Sequence, residues 1–82
     1  MLKNILDGEA PSSVFKQMIV DNPALTNIDL SNSLANEFDN LNSQAAQLVW
    51  HWQRPGKQQG LSDENLDALL LNFFQEAGYL VR

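Results

Sequence analysis

A chain of 82 residues, 44% hydrophobic and 18% charged, has room for one small core and is too apolar to stay disordered. It holds no cysteine, which excludes both a disulfide framework and a thiolate metal site. Its net charge of −5 has the wrong sign for generic binding to a phosphate backbone, where Lys and Arg must displace counterions.

The first nine residues, Met1 to Glu9, lack a long apolar h-region and acquire acids early, unlike a signal peptide. No apolar run approaches the ~18 residues of a membrane span. The expectation is a soluble cytoplasmic protein with no membrane association. The ten acids are dispersed, and only Asp63 and Glu64 are adjacent, which reads as a solvated surface rather than a nucleic-acid mimic.

Apolar residues recur at helical spacing between clear punctuation marks. Leu2, Ile5 and Leu6 would share one face of a short N-terminal turn. The first full helix opens at Pro11-Ser12-Ser13, with a serine as cap and proline in the first turn. Phe15, Met18 and Ile19 form its apolar face. It ends at Asn22-Pro23, because a residue before proline avoids the helical region. The second helix starts near Thr26 or Asn27 and places Leu30, Leu34 and Phe38 on one face, with Ala35 alongside. Asp29 sits in its first turn, where the helix dipole favours an anion. Asp39-Asn40 breaks it.

Asn42 or Ser43 caps the third helix, with the apolar Leu41 just before the cap. Ala45, Leu48, Val49 and Trp52 fall on one face, Arg54 lies in the last turn and Pro55-Gly56 stops the helix. The fourth opens with the cap Ser62 and the acids Asp63 and Glu64. Its stripe is Leu66, Leu69, Leu70, Phe73 and Ala77, with Phe74 on the flank. Gly78 then occupies the left-handed position after the helix, which would bring Tyr79 against Phe74 in a Schellman motif. The connection Pro55 to Leu61 carries two glycines and no apolar anchor before Leu61, so it reads as the most mobile segment. The predicted fold is all-α: one compact bundle of four to five short helices and no sheet, spanning residues 1–82. The predicted core is Phe15, Met18, Ile19, Leu30, Leu34, Phe38, Leu48, Val49, Trp52, Leu66, Leu69, Leu70 and Phe73.

Chemistry-bearing patterns are few. His51 is the sole histidine, with no cysteine to activate and no His-x-x-Glu or Glu-x-x-His partner for a metal. There is no Gly-x-Ser-x-Gly elbow. Gly56 and Gly60 lack the Lys-Ser/Thr of a phosphate loop. The reading is therefore no enzyme, no cofactor and no metal. The second and third helices resemble a helix-turn-helix, in which Ser43, Gln44 and Gln47 would face the major groove. The third helix has no Lys or Arg before Arg54, and Glu37 and Asp39 precede it, so an ordinary helical corner is the simpler reading. Phe38-x-x-Leu41 ahead of Leu48-Val49 is similar to a feature of small three-helix ubiquitin-binding domains. Their Met-Gly-Phe or Met-Phe-Pro loop is replaced here by Glu37-Phe38-Asp39, and no residue role carries over.

Protein–protein binding is the remaining class. At about 100° per residue, Trp50 falls about 150° from the centre of the third helix's apolar stripe. Leu71 stands in the same relation to the fourth. Trp50 is then either exposed to a partner or packed against Leu2, Ile5 and Leu6. Arg54, four residues on, is within reach of its ring for a cation–π contact. The sequence thus predicts a non-enzymatic interaction module, a small acidic accessory or regulatory protein, that binds another protein or a second copy of itself. The expected surface is Trp50, Arg54, Pro55, Lys57, Leu71 and Tyr79, with the Pro55–Gly60 loop. A helix-turn-helix-like regulator associated with nucleic acid is the alternative.

Overall fold

Three of the four helices carry their own N-cap, and the fourth borrows one from across the bundle. The computed structural model describes residues 1–82. A 3-10 turn at Leu2–Ile5 precedes α1 (Pro11–Asp21), α2 (Asn27–Glu37), α3 (Ser43–Trp50) and α4 (Asp63–Glu76). Thr26 caps α2 in a full capping box: its hydroxyl accepts from the Asp29 N–H at 3.1 Å while the Asp29 carboxylate accepts from the Thr26 N–H at 2.9 Å. Asn42 Oδ1 accepts from the Gln44 N–H, and Ser62 Oγ from the Asn65 N–H, at the starts of α3 and α4.

In α1 the predicted serine cap is corrected. The chain enters through extended Ala10, Pro11 takes the first helical position, and Ser12 is already inside the helix. Asp67 of α4 supplies the missing acceptor: Oδ1 accepts from the Ser12 N–H at 2.7 Å and Oδ2 from the Ser12 hydroxyl at 2.8 Å. An anion at a helix N-terminus also complements the helix dipole.

Successive contacts fix the directions of the helices. Ser12 and Lys16 of α1 meet Asp67 and Asp63 of α4, so these two helices run in opposite senses. Phe38 meets Phe74 while Trp52 meets Asp63, so α3 also opposes α4. Asn27 at the start of α2 reaches the carbonyls of Trp50 and Trp52, so α2 opposes α3. The result is an up-down-up-down bundle, 33 × 23 × 19 Å, with the 3-10 turn packed on α1. The core holds Leu2, Ile5, Val14, Phe15, Leu30, Leu34, Phe38, Ala45, Val49, Trp52, Leu66, Leu70 and Phe74.

The buried face of α4 differs from the predicted stripe. Leu66, Leu70 and Phe74 are buried, Leu71 and Phe73 are half-buried, and Leu69 is 39% exposed. Asp63, Asp67, Leu70 and Phe74 lie at i, i+4, i+7 and i+11, so the two acids that grip α1 turn the helix to this phase. Met18, Ile19 and Leu48, predicted as core, are half-buried against it. The C-terminal end of α4 matches its prediction. Gly78 adopts φ +89°, its N–H reaches the Gln75 carbonyl at 3.1 Å, and the Tyr79 N–H reaches the Phe74 carbonyl at 3.0 Å. That is the double hydrogen bond of the Schellman motif, and the Tyr79 and Phe74 rings meet at 5.7 Å.

Helix α3 stops at Trp50, so Arg54 lies beyond it rather than in its last turn. Two backbone bonds end the helical run. The Gln53 N–H reaches the Leu61 carbonyl at 2.8 Å, and the Leu61 N–H reaches the His51 carbonyl at 2.7 Å. The connection expected to be mobile is therefore tied at its base. Gly60 makes the tie possible: at φ +137°, a Cβ there would stand 2.4 Å from the His51 carbonyl oxygen.

Candidate functional site

Residues 50–57 pass from the end of α3 into a tight turn and separate two tryptophans. The 3-10-type bonds from the His51 N–H to the Leu48 carbonyl and from the Trp52 N–H to the Val49 carbonyl carry the chain past the helix end. Trp52 is thereby driven inward and is fully buried. Its ring packs on Phe15 with centroids 5.7 Å apart, and its indole N–H donates to Asp63 Oδ1 at 2.9 Å. Asp63 Oδ2 also accepts from Lys16 Nζ. Those two donors, Lys16 first and Trp52 second, hold the Asp63 carboxyl below the ordinary carboxylate range. The same Asp63 hydrogen bond raises the Lys16 ammonium above its usual value, against a smaller lowering from burial. The inner side of this corner is a closed polar clasp between α1 and α4.

The outer side is open. Trp50 is 46% exposed and takes part in none of the chain's four aromatic contacts. The N-terminal turn, the alternative cover for its ring, packs on α1 instead. Nor does Arg54 spend its guanidinium on that ring. Nη1 donates to Asn27 Oδ1 at 3.3 Å, while Asn27 Nδ2 donates to the Trp52 carbonyl at 3.0 Å and the Trp50 carbonyl at 3.4 Å. Asn27 thus fastens the start of α2 to the end of α3. The next residue, Ile28, is 59% exposed. Arg54-Pro55-Gly56-Lys57 forms a turn closed by the Lys57 N–H on the Arg54 carbonyl at 3.0 Å, with Gly56 at φ +90°. Proline then glycine at the two central positions, the glycine at positive φ, is the type II pattern.

Of the six residues predicted as one surface, Trp50, Arg54, Pro55 and Lys57 come together at this corner. Leu71 is half-buried on α4. Tyr79 is half-buried in an edge-to-face trio with Phe38 and Phe74, and its hydroxyl accepts from the Asn40 N–H at 3.4 Å. Asp63 marks the tryptophan end of α4 and Phe74 the aromatic end, eleven residues or about 16 Å apart. Leu71 and Tyr79 lie toward the aromatic end.

Charge is distributed in a way that helical periodicity does not reveal. Residues 40–62 contain no Asp or Glu and carry Arg54 and Lys57, a net +2, with His51 beside them. The remaining residues carry three bases and all ten acids, a net −7, which together make the chain's −5. The two ion pairs are Lys3–Glu37 at 3.9 Å and Lys16–Asp63, so Arg54 and Lys57 are unpaired although acids outnumber bases two to one.

The one concavity lies elsewhere. A cleft of about 420 Å³ between the N-terminal turn, α1 and α2 is lined by Met1, Leu2, Met18, Ser33, Asn36 and Glu37. His51 is exposed, and no three His, Asp or Glu side chains converge in a metal-binding cluster. No helix is long and apolar enough to cross a membrane. Comparison with protein-family models, with curated proteins and with solved structures finds no match to this chain.

Proposed function

We propose that this chain is a non-enzymatic protein–protein interaction module, a small acidic accessory or regulatory protein of the cytoplasm, that docks another protein at the Trp50 corner. The observation carrying this reading is the exposure of Trp50 at the end of a helix whose other side holds the fully buried Ala45 and Val49. An indole half in water leaves apolar area uncovered that a partner can desolvate, and tryptophan is among the residues that most often dominate binding energy. The base beneath it is rigid. Asn27 fastens the backbone under the ring, Trp52 anchors the next turn, and the Gly60 tie fixes the loop. A preorganised platform loses little side-chain and loop freedom on binding.

The test compares the wild-type chain with Trp50→Ala as baits in lysate of the native host. Supporting the reading requires a protein retained by the wild type and lost from the variant, with the two baits unfolding at the same urea midpoint. Identical retained proteins, or a variant that no longer folds, would count against it. Sedimentation equilibrium of the protein alone reports self-association.

A further inference from the structure

The outer face of the tryptophan corner combines exposed large apolar side chains with two cations that have no acidic partner. Trp50 and Ile28 supply the first, on the two helix ends that Asn27 ties together. Arg54 and Lys57 supply the second. The guanidinium of Arg54 gives one of its five donors to Asn27 and keeps the others, and the Lys57 ammonium is exposed on the turn. Two acids on the adjoining helix starts already hold partners. The Asp29 carboxylate closes the capping box of α2, and the Asp63 carboxylate holds Lys16 and the Trp52 indole. The surface that meets a partner is therefore apolar and locally cationic, on a chain whose remaining surface is acidic.

Resting on the interaction reading above, we infer that the Trp50 corner takes an acidic segment of another protein, carrying a large apolar side chain that covers Trp50 and carboxylates that engage Arg54 and Lys57. The apolar side chain supplies most of the affinity, because burying the indole removes the largest exposed apolar area at the corner. The carboxylates supply orientation and selection. Arg54 offers a planar donor fork suited to a carboxylate, and a basic segment would meet two cations with no local acid free to balance them. Single-stranded nucleic acid also pairs aromatic stacking with cations, but two unpaired cations on a chain of net −5 give it few phosphate contacts.

The experiment selects binders for the immobilised full-length chain from a phage-displayed library of random peptides. The expected result is enrichment of peptides with Asp or Glu flanking Leu, Ile, Phe or Trp. Trp50→Ala should weaken the selected peptides about tenfold or more, and Arg54→Gln combined with Lys57→Gln about threefold or more. Lys57→Gln alone, at an exposed turn residue, gives a partial loss even if replacing Arg54 loosens its bond to Asn27. Trp50-dependent enrichment of neutral or basic peptides would overturn this inference and leave the interaction reading standing. No Trp50-dependent enrichment would overturn both. So would Trp50-dependent binding of fluorescein-labelled oligothymidylate tighter than that of the selected peptides. A Trp50-dependent dimer in sedimentation equilibrium would assign the corner to a second copy and overturn this inference alone.

Discussion

Trp50 and Trp52 share a residue type and stand two positions apart, yet one is 46% exposed and the other is fully buried. The inner side of the corner has a partner for every polar group it buries: Trp52 for Phe15, its N–H for Asp63, and Asp63 for Lys16. The outer side has an apolar ring without a ring partner and cations without acids. Substitution can therefore compare a side chain closed into the core with one half open to solvent.

The largest expected contrast lies between the tryptophans themselves. Trp52→Ala should remove about 3–5 kcal/mol, as expected for a buried ring, which is comparable with the whole stability of a domain this size. Trp50→Ala should remove less than about 1 kcal/mol. Urea unfolding followed by circular dichroism measures both, and equal losses would mean that Trp50 belongs to the core. A second pair tests the phase of α4. Leu70→Ala should lose about 3 kcal/mol and Leu69→Ala less than about 1 kcal/mol, the reverse of an assignment that puts both in the stripe.

A third pair compares the base of the loop with its tip. At Gly60 a new Cβ would meet the backbone of His51 and Gln53, which cannot move without breaking the bonds to Leu61. Gly60→Ala should lose about 2–3 kcal/mol. At Gly56 the φ is also positive, but nothing lies within reach of the added methyl. Gly56→Ala should lose only about 1 kcal/mol, the conformational term alone. Similar losses at both positions would show that the tie at Gly60 contributes little beyond backbone preference.

Much of this arrangement was legible in the chain. The Pro11 start, the Asn22-Pro23 stop, the Asn42 and Ser62 caps and the Gly78 terminus are local signals, acting within a few residues of where they are read. The exposure of Trp50 was legible too, though only as one of two readings, because helical phase excluded it from the stripe without saying what else might cover it. The phase of α4 was not legible. Leu66, Leu69, Leu70, Leu71, Phe73 and Phe74 surround the helix with apolar groups, so hydrophobicity alone leaves its rotation open. The choice is made by Asp67 gripping Ser12, 55 positions away, and by Asp63 gripping Lys16 and Trp52. Such pairings are set by tertiary geometry, and no window of sequence contains them. For the same reason the i, i+4 spacing that puts Arg54 within reach of the Trp50 ring does not apply: it holds inside a helix, and α3 ends at Trp50.

The smallest expected effect is electrostatic and is centred on the inner side. The Asp63 carboxyl is lowered from 3.8 by its hydrogen bonds to Lys16 and then to Trp52. A carboxyl lowered by folding stabilises the native state above its unfolded value, and that contribution disappears as pH falls through the lower folded value. Lys16 acts in the opposite sense. Raised from 10.5, it stabilises the native state below that value and loses the contribution as pH rises through the higher folded one. Melting temperature plotted against pH should therefore fall on the acid side below roughly pH 4. In Asp63→Asn that acid limb should flatten in part, since Asp29, lowered by its hydrogen bonds with Thr26, still contributes. In Lys16→Gln it should flatten less, since Trp52 still donates to Asp63 and the Lys16 hydrogen bond is the larger of the two causes. The alkaline limb should flatten in both variants, because each removes one half of the pair. Solvent reaches both side chains, so the shifts should be modest and should shrink in high salt. An acid limb unchanged in Asp63→Asn would mean that Trp52 is held by the packing of Phe15 and its neighbours alone, and that the clasp sets the rotation of α4 without adding to stability.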